Sequence, residues 1–446
     1  MSQVNVTEVA TMILAHNWAA LRDLLSDWRV PDIADVLIQL DKPSRVLLFR
    51  CLPRKTAADV FSELEGEDTD SLLKELTDEE TRLLLAYMRP DDRTELLEEL
   101  PGQVTQRMLN LLSPDDMKEA RSLLGYPERS IGRLMTPDYV AIRPGWAVPR
   151  AMEHVRRRGR NSETVDTLYV VDAGWKLLGA VSLRQLILAR QDQTVESIMT
   201  APAISLSAFD DREEAARVMD KYDLSVLPVV ASDGVMVGIV TSDDIFEVAQ
   251  EEATEDFHRS AAVTPLKTGY KDAGLWLLLK SRLGWLLTLI AVDLVAAEVM
   301  ATYEGIISRV VSLVFFLPLI IGCSGNTGSQ SSTLAVRDLA LGEVHTGDWR
   351  KLTLKEVAVS AALGITISLA VLGPAILQGG TGVGAVVAIS AVFIVVVGGT
   401  VGMVTPFLLS KLGFDPATSS SPLITSVADI LGVIIYFSLA NRFLGL

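Results

Sequence analysis

The sequence predicts a multidomain protein: an all-α superhelical N-terminal domain, an α/β tandem pair, and an α-helical membrane domain with five transmembrane helices. Three observations carry this prediction. Charge is divided unevenly. Residues 265–446 hold 11 Lys and Arg and 10 Asp and Glu, against 40 and 56 in the whole chain, so a front part of net charge −17 precedes a nearly neutral part of net charge +1. An internal echo places Met135 and Met199 64 residues apart in matching strings. Beyond it, apolar stretches recur at about the 20 residues a helix needs to cross the bilayer hydrocarbon.

The first element is the acidic helical domain, residues 1–127. Proline-led starts recur in it: VPDIADVLIQL, RPDDRTELLEEL and SPDDMKEARSLL. Proline followed by aspartate suits the first turn of a helix, where the missing N–H is not needed and the helix dipole favours an acid. Short helices in antiparallel pairs, stacked as a small superhelix, are expected, with a plain acidic bundle as the alternative. The N-terminal string MSQVNVTEVATMIL has no basic region before an apolar core, so no cleaved signal is expected and the front part is expected in the cytoplasm. Such acidity serves solubility or attracts cations through hard oxygen ligands, and it argues against nucleic acid as a partner. Cys51 and Cys323 have no metal-ligand spacing and suggest no disulfide framework.

Residues 128–250 hold the echo. IGRLMTPDYVAIRPGWAV is repeated as VESIMTAPAISLSAFDD, and TLYVVDAGWKLLGAVSLRQLI as VLPVVASDGVMVGIVTSDDIF. Each copy predicts a short strand, a helix, two β-rich runs around a turn, and a closing helix. The pattern resembles a tandem pair of CBS domains, a ligand-sensing module. In such modules an Asp after a Gly-x-x-Thr run often holds a nucleotide ribose. Gly238, Thr241 and Asp244 occupy those places in the second copy, whereas the first has Gly179, Ser182 and Gln185. That allows one nucleotide-like site at most. Residues 251–275 form an acidic connector, helical at first, that ends near a Pro and a Gly.

The membrane domain, residues 276–446, predicts spans at roughly 283–303, 306–334, 354–378, 383–410 and 420–443. Arg337, Arg350, Lys351 and Lys355 follow the second span and Lys411 the fourth, while QGGTGVG after the third is uncharged. The positive-inside bias puts those basic loops in the cytoplasm and the C-terminus outside.

Polar groups inside the spans need a reason, because a charge at mid-bilayer costs about 2.5–3.5 kcal/mol on insertion scales. Asp429 has no basic residue in its own span before Arg442. It is read as an ion-pathway ligand, against the alternative of a hydrogen-bonded structural acid. Asp293 and Glu298 in the first span raise the same question. The second span contains PLIIGCSGNTGSQSSTLAV, in which Asn326, Thr327, Ser329, Gln330, Ser331, Ser332 and Thr333 form a dense run of oxygen-bearing side chains. Such a run suits Mg²⁺ or Ca²⁺ rather than soft metals, or else glues helices together. The four His residues, at 16, 154, 258 and 345, are scattered. No phosphate-binding Gly-x-x-x-x-Gly-Lys-Ser/Thr loop and no nucleophile–base arrangement occur, so neither an ATPase nor another enzyme is expected.

The order of an acidic helical domain, a CBS pair, an acidic connector and five spans resembles the MgtE family of magnesium channels. PLIIGCSGNTGSQSSTLAVR, VTSDDIFEVAQEEATEDFH and SPLITSVADILG are similar to its signatures. The resemblance covers nearly the whole chain. It implies a homodimer in a bacterial plasma membrane, a pore on the dimer axis, and a hydrated Mg²⁺ held by an Asp of the last helix, which Asp429 matches. Asn326, Thr327, Ser329, Gln330, Ser421 and Thr425 are then pore-lining candidates. It further implies that cytoplasmic Mg²⁺ closes the channel through acids of the helical domain, CBS pair and connector. The matching positions are Asp59, Asp91, Glu95, Asp211, Glu213, Asp223, Asp244, Glu247, Glu252, Glu255 and Asp256. Ser329 and Ser421 stand where members commonly carry Asn, and Cys323 and Ser324 replace a small pair, which bears on ion selectivity. ATP binds the CBS pair of some members. Here Thr167, Ala203 and Leu224 occupy positions where an aromatic or amide would hold the base, which argues against ATP. The alternatives are a channel or carrier for another divalent ion such as Mn²⁺, and a non-conducting membrane sensor.

Overall fold

A computed structural model of the chain describes residues 6–64, 66–266, 269–270 and 273–445. The start of the N-terminal string read for a signal, and residues 267–268 and 271–272 of the predicted connector, lie outside the described residues. The chain divides into two compact units, Met1–Ala249 and Gln250–Leu446.

The front unit begins with ten short helices: α1 Val6–Leu14, α2 Trp18–Ser26, α3 Val30–Gln39, α4 Lys42–Cys51, α5 Arg54–Ser62, α6 Gly66–Glu75, α7 Asp78–Tyr87, α8 Pro90–Glu99, α9 Gly102–Leu111 and α10 Pro114–Leu124. Proline sits in the first turn of α3, α8 and α10, as the sequence predicts, and of α4 as well. Thr77 and Glu80 cap α7 reciprocally, each satisfying an N–H that the helix leaves open. Helices two apart in sequence touch, α3 with α5, α5 with α7, α7 with α9 and α8 with α10, so the array stacks as a superhelix. Leu21, Ile33, Leu37, Leu48, Phe61, Leu85 and Leu97 fill its core. Each such side chain is worth about 1.5–3 kcal/mol of burial.

The tandem repeat follows. Its first copy runs α11 Ile131–Leu134, β1 Ala141–Ile142, α12 Val148–Arg158, β2 Thr167–Val171, β3 Leu177–Ser182 and α13 Leu183–Leu188. The second runs α14 Val195–Ile198, β4 Leu206–Ser207, α15 Arg212–Tyr222, β5 Val226–Val230, β6 Met236–Thr241 and α16 Ser242–Ser260. Each copy folds into a three-stranded sheet, one parallel and one antiparallel pair, in register β1-β2-β3 and β4-β5-β6. The copies are interlocked. Thr136 of the first bridges Ile239 of the second, and Thr200 of the second bridges Ala180 of the first. A Cβ on Gly238 would lie 2.9 Å from the Met135 sulfur and one on Gly179 2.7 Å from the Thr200 carbonyl oxygen. The repeated Met-Thr and the repeated glycine are therefore two sides of one contact. The closing helix of the second copy and the acidic start of the connector are a single helix, α16.

The second unit contains α17 Leu275–Ala301, α18 Glu304–Arg309, a 3₁₀ turn Val311–Phe316, α19 Leu317–Ala340, α20 Trp349–Lys411 and α21 Ser421–Leu444. Among the described residues four helical elements are long and apolar enough to cross a membrane. One of them, α20, has 63 residues and is broken at Gly380, whose φ of 79° and ψ of 177° leave the helical region. Only glycine visits that region without strain. The two legs fold back on each other. A Cβ on Gly364 would lie 2.9 Å from Val392 Cα, whereas a straight helix would separate them by about 42 Å. The legs, 349–379 and 381–411, are the third and fourth of the five expected membrane helices.

The helix that carries the first expected span begins at Leu275, ahead of the expected 283, and includes Lys280 and Arg282, whose guanidinium lies over the Tyr270 ring at 5.9 Å. One expectation needs correction. The second span is not one helix from 306. The chain breaks at Val310, with φ −133° and ψ 76°, and α19 restarts with Pro318 in its first turn. Leu313, Ile320, Val386, Val387, Ile394, Val433 and Phe437 form the core of this unit, and the buried Tyr436 hydroxyl donates to the Leu313 carbonyl at 3.0 Å.

Candidate functional site

In the membrane unit, Ser421, Thr425 and Asp429 recur every four residues on α21, so they share one face and span about 12 Å along the axis. The Ser329 hydroxyl of α19 donates to the Ser421 carbonyl at 3.3 Å and lies 3.3 Å from the Thr425 hydroxyl. The Ser332 and Ser419 hydroxyls meet at 2.9 Å. Backbones approach closely here: a Cβ on Gly325 would fall 2.6 Å from the Thr425 methyl, and one on Gly328 2.9 Å from Ile424 Cγ2. Small residues permit this packing, which has no hydrophobic driving force of its own inside a membrane. Asp429 is half-buried, and its Oδ1 is covered by protein without a hydrogen-bond partner in the single chain. On the neighbouring face, Ser426 donates to Asp293 Oδ1 of α17 at 3.1 Å.

The structure separates the polar run of α19 into faces. Ser329 meets α21, whereas Asn326, Gln330 and Thr333 are exposed. Thr327 is buried and its hydroxyl donates to the Cys323 carbonyl at 2.8 Å, its own helix's backbone rather than a neighbour. Glu356, on the first leg of α20, was not singled out from sequence because it sits beside Lys355 in what reads as a loop end. It accepts from Ser331 at 2.7 Å and Ser360 at 2.8 Å. The i, i+4 spacing of Glu356 and Ser360 was the signal available.

In the front unit a second constellation forms around the first turn of α8. Asp91 is 7% exposed and its Oδ1 has no hydrogen-bond partner. Burial, then the neighbouring Asp244, Asp92 and Glu163 carboxylates, push Asp91 well above the usual carboxylate range. Burial likewise pushes Asp244 up to about 7, although the Thr241 hydroxyl donates to it at 2.6 Å. Burial raises Asp92 and Glu163 against the opposing Arg89 charge, with Asp59 and Asp243 adding to the rise at Asp92, and with Asp243, Asp92 and Asp138 adding to that at Glu163. Arg89 is a cation among these acids, pairing with Glu163 at 2.5 Å. Of the predicted acids, Asp59, Asp91 and Asp244 are thus brought together. Asp92, Glu163 and Asp243 join them: Asp92 and Asp243 adjoin Asp91 and Asp244 in the sequence, whereas Glu163 is brought in by tertiary folding alone. Asp211 and Glu213 lie at the start of α15, where Asp211 caps the Glu213 N–H at 2.9 Å and Glu213 pairs with Arg129 at 3.4 Å. Asp223 ends the same helix in a left-handed conformation, φ 52°. Glu95 and Glu247 are exposed. In the second unit Glu252 and Asp256 are half-buried on α16, and Glu255 pairs with Arg259, which also pairs with Asp415. Among the described residues no three Asp, Glu, His or Cys side chains are arranged as a ready metal site.

Comparison with known proteins decides the family. Residues 317–439 match MgtE, described as a divalent cation transporter. Residues 28–129 match the MgtE intracellular N domain, and 131–192 and 195–251 match CBS domains. The chain is 34% identical over 434 residues to the magnesium transporter MgtE of Bacillus subtilis, covering 94% of this chain and 96% of that protein. The chain belongs to the MgtE family. It is also 40% identical over 329 residues to the magnesium transporter MgtE of Thermus thermophilus, covering 73% and 72%. A crystal structure described as the cytosolic domain of the Mg²⁺ channel MgtE in complex with ATP matches 55% of this chain and 99% of its own, with a TM-score of 0.53 and 34% identity. Membership in the MgtE family makes this a membrane protein with an intracellular N domain, and a transporter rather than an enzyme.

Proposed function

We propose that the chain is a Mg²⁺ channel for uptake across a bacterial plasma membrane, acting as a homodimer with Asp429 of each copy at the ion path. The observation that carries the reading is the Asp429 carboxylate, half-buried in a span, with one oxygen covered and unpartnered, in line with Thr425 and Ser421. An intramembrane acid left without a partner is costly, and a cation or a second copy removes the cost. Mg²⁺ sheds its waters reluctantly, so one or two carboxylates that accept hydrogen bonds from those waters select it by size without dehydrating it. The relatives named as magnesium transporters support Mg²⁺ as the substrate. The α17 surface, exposed along most of its length in a single chain, supports a second copy beside it. The basic loops support a cytoplasmic front part and an outside C-terminus.

Cytoplasmic Mg²⁺ closes the channel in this reading. The crowded acids around Asp91 and Asp244 repel when bare, and cations that bind the compact arrangement favour it by mass action. ATP is not assigned. The Asp244 carboxylate, the ribose partner in CBS modules, is engaged by Thr241 and packed among the acids.

The test is Mg²⁺ flux into liposomes holding purified protein, with Asp429→Ala beside it and Mn²⁺ as competitor. Flux that is lost in the variant and selective for Mg²⁺ is expected. Normal flux in Asp429→Ala ends the pore assignment. No flux in either protein at low internal Mg²⁺ favours the sensor. Equal Mn²⁺ flux favours a general divalent channel.

A further inference from the structure

A carboxylate of α20 touches α19 on its buried side. Successive residues of α19 sort by helical period. Ser324, Gly328, Ser331 and Ala335 are buried, while Asn326, Gln330 and Thr333 are exposed. Towards α20, Ser324 donates to the Ile394 carbonyl at 3.1 Å, and the Ser331 hydroxyl, whose one proton has both the Thr327 carbonyl of its own helix at 2.9 Å and Glu356 Oε1 at 2.7 Å as acceptors, lies nearer the carboxylate. The same oxygen accepts from Ser360 at 2.8 Å, one turn further along α20. Ser331 and Ser360 are 3% and 0% exposed, so water does not replace these bonds. The second leg leaves room for the group. A Cβ on Gly399 would lie 2.8 Å from Glu356 Oε1 and overlap the Ser360 hydroxyl. One carboxylate oxygen thus sits where α19 and both legs of α20 converge. A polar acceptor inside a span is kept only where it has partners of this kind.

We propose that Glu356 is a positioning residue for ion passage: through Ser331 it fixes the rotation of α19 and so the direction in which Asn326, Gln330 and Thr333 point. The proposal rests on the reading that this exposed polar face lines the ion route. A helix turned by a fraction of its period moves these three residues together, because they share one stripe. Ser329, at Ser421 of α21, and Ser332, at Ser419 just before it, hold the adjacent face, so Glu356 supplies the second point that a fixed rotation needs.

The test uses the full chain in vesicles, in a Cys51→Ser, Cys323→Ala background, with Gln330→Cys as reporter. The rate at which a charged methanethiosulfonate modifies that thiol reads the orientation of α19 without any flux. The Mg²⁺/Mn²⁺ flux ratio reads its consequence. Glu356→Ala is expected to change the modification rate about fivefold, the factor carried by one buried hydrogen bond, and to shift the flux ratio. Glu356→Gln, whose carbonyl oxygen accepts both bonds, is expected to restore both readouts to within about twofold. An unchanged modification rate in Glu356→Ala overturns the proposal. So does Glu356→Gln behaving like Glu356→Ala, which would assign the effect to charge. Should Glu356→Ala fail to elute as a monodisperse protein, Ser331→Ala with Ser360→Ala removes the two donors and leaves the carboxylate; no change there also overturns it. Normal flux in Asp429→Ala would end the pore reading instead, and the thiol rate would still report on Glu356.

Discussion

Ser329 on α19 and Ser421 at the start of α21 are joined side chain to backbone, the Ser329 hydroxyl donating to the Ser421 carbonyl at 3.3 Å. The Ser421 side chain is not used in that bond. The contact therefore survives a change at 421 but not the loss of the Ser329 hydroxyl. Ser329→Asn and Ser421→Asn together would extend two amides into the space beside Thr425 and add donors where a hydrated ion's waters need acceptors and donors in fixed places. The Mg²⁺/Mn²⁺ flux ratio is expected to shift in the double variant. An unchanged ratio would assign both serines to packing.

Close backbone approach makes a second prediction. A Cβ on Gly402 would overlap the Gly328 carbonyl oxygen, whereas nothing lies within 4 Å of one on Gly284. Neither neighbour at Gly402 is a flexible side-chain tip, so the helices must separate. Overpacking of this kind costs about 1–3 kcal/mol. Gly402→Ala is expected to lower the unfolding temperature in detergent, and Gly284→Ala to leave it within a degree or so of the parent, since alanine also favours the helix. Equal melting of the two variants would contradict the packing at Gly328.

How much of this was legible in the sequence depends on whether a feature is local. The fold at Gly380 was legible, because QGGTGVG announces a turn between apolar runs. The tandem repeat was legible as an echo, though not that Met135 and Gly238 are partners across copies. The stripe of Ser421, Thr425 and Asp429 follows from four-residue spacing. The break at Val310 was not legible: VVSLVFFLP is apolar but for Ser312 and carries no Gly, Asn or Asp before Pro318. Glu356 was missed because Ser331, which gives it a purpose, is on another helix. Glu163 was missed for the same reason, since only the packed front unit sets it beside Asp91, while Asp92 and Asp243 adjoin the chosen Asp91 and Asp244 in the sequence and were passed over.

The acids around Asp91 predict how closure responds to Mg²⁺. If cations hold this arrangement, Asp91→Asn with Asp244→Asn removes two of the buried charges that attract them. Each lost ligand worth about 1.4 kcal/mol raises the required concentration tenfold. The double variant is expected to keep conducting at internal Mg²⁺ that closes the parent, read as flux against internal Mg²⁺. Glu95→Gln, at an exposed position of the same helix, is expected to shift the curve less. Unchanged inhibition in the double variant would remove this cluster from gating.

Protons act on the same cluster with a definite sign. Folded, Asp244 holds its proton up to about 7, against an ordinary value of 3.8, because burial outweighs the opposing bond from Thr241. Between those values the folded front unit binds more protons than the unfolded chain. Its stability therefore falls as pH rises through that window and gains nothing further below it. Asp91, raised for the same first cause, adds to the slope. With Mg²⁺ removed, the front unit of the full chain is expected to resist protease better at about pH 5.5 than at about pH 8, and added Mg²⁺ at the higher pH to restore the resistance. Asp244→Asn, which carries no charge to bury, is expected to flatten the pH dependence. A parent and variant with the same pH profile would show that Asp244 is not the titrating group.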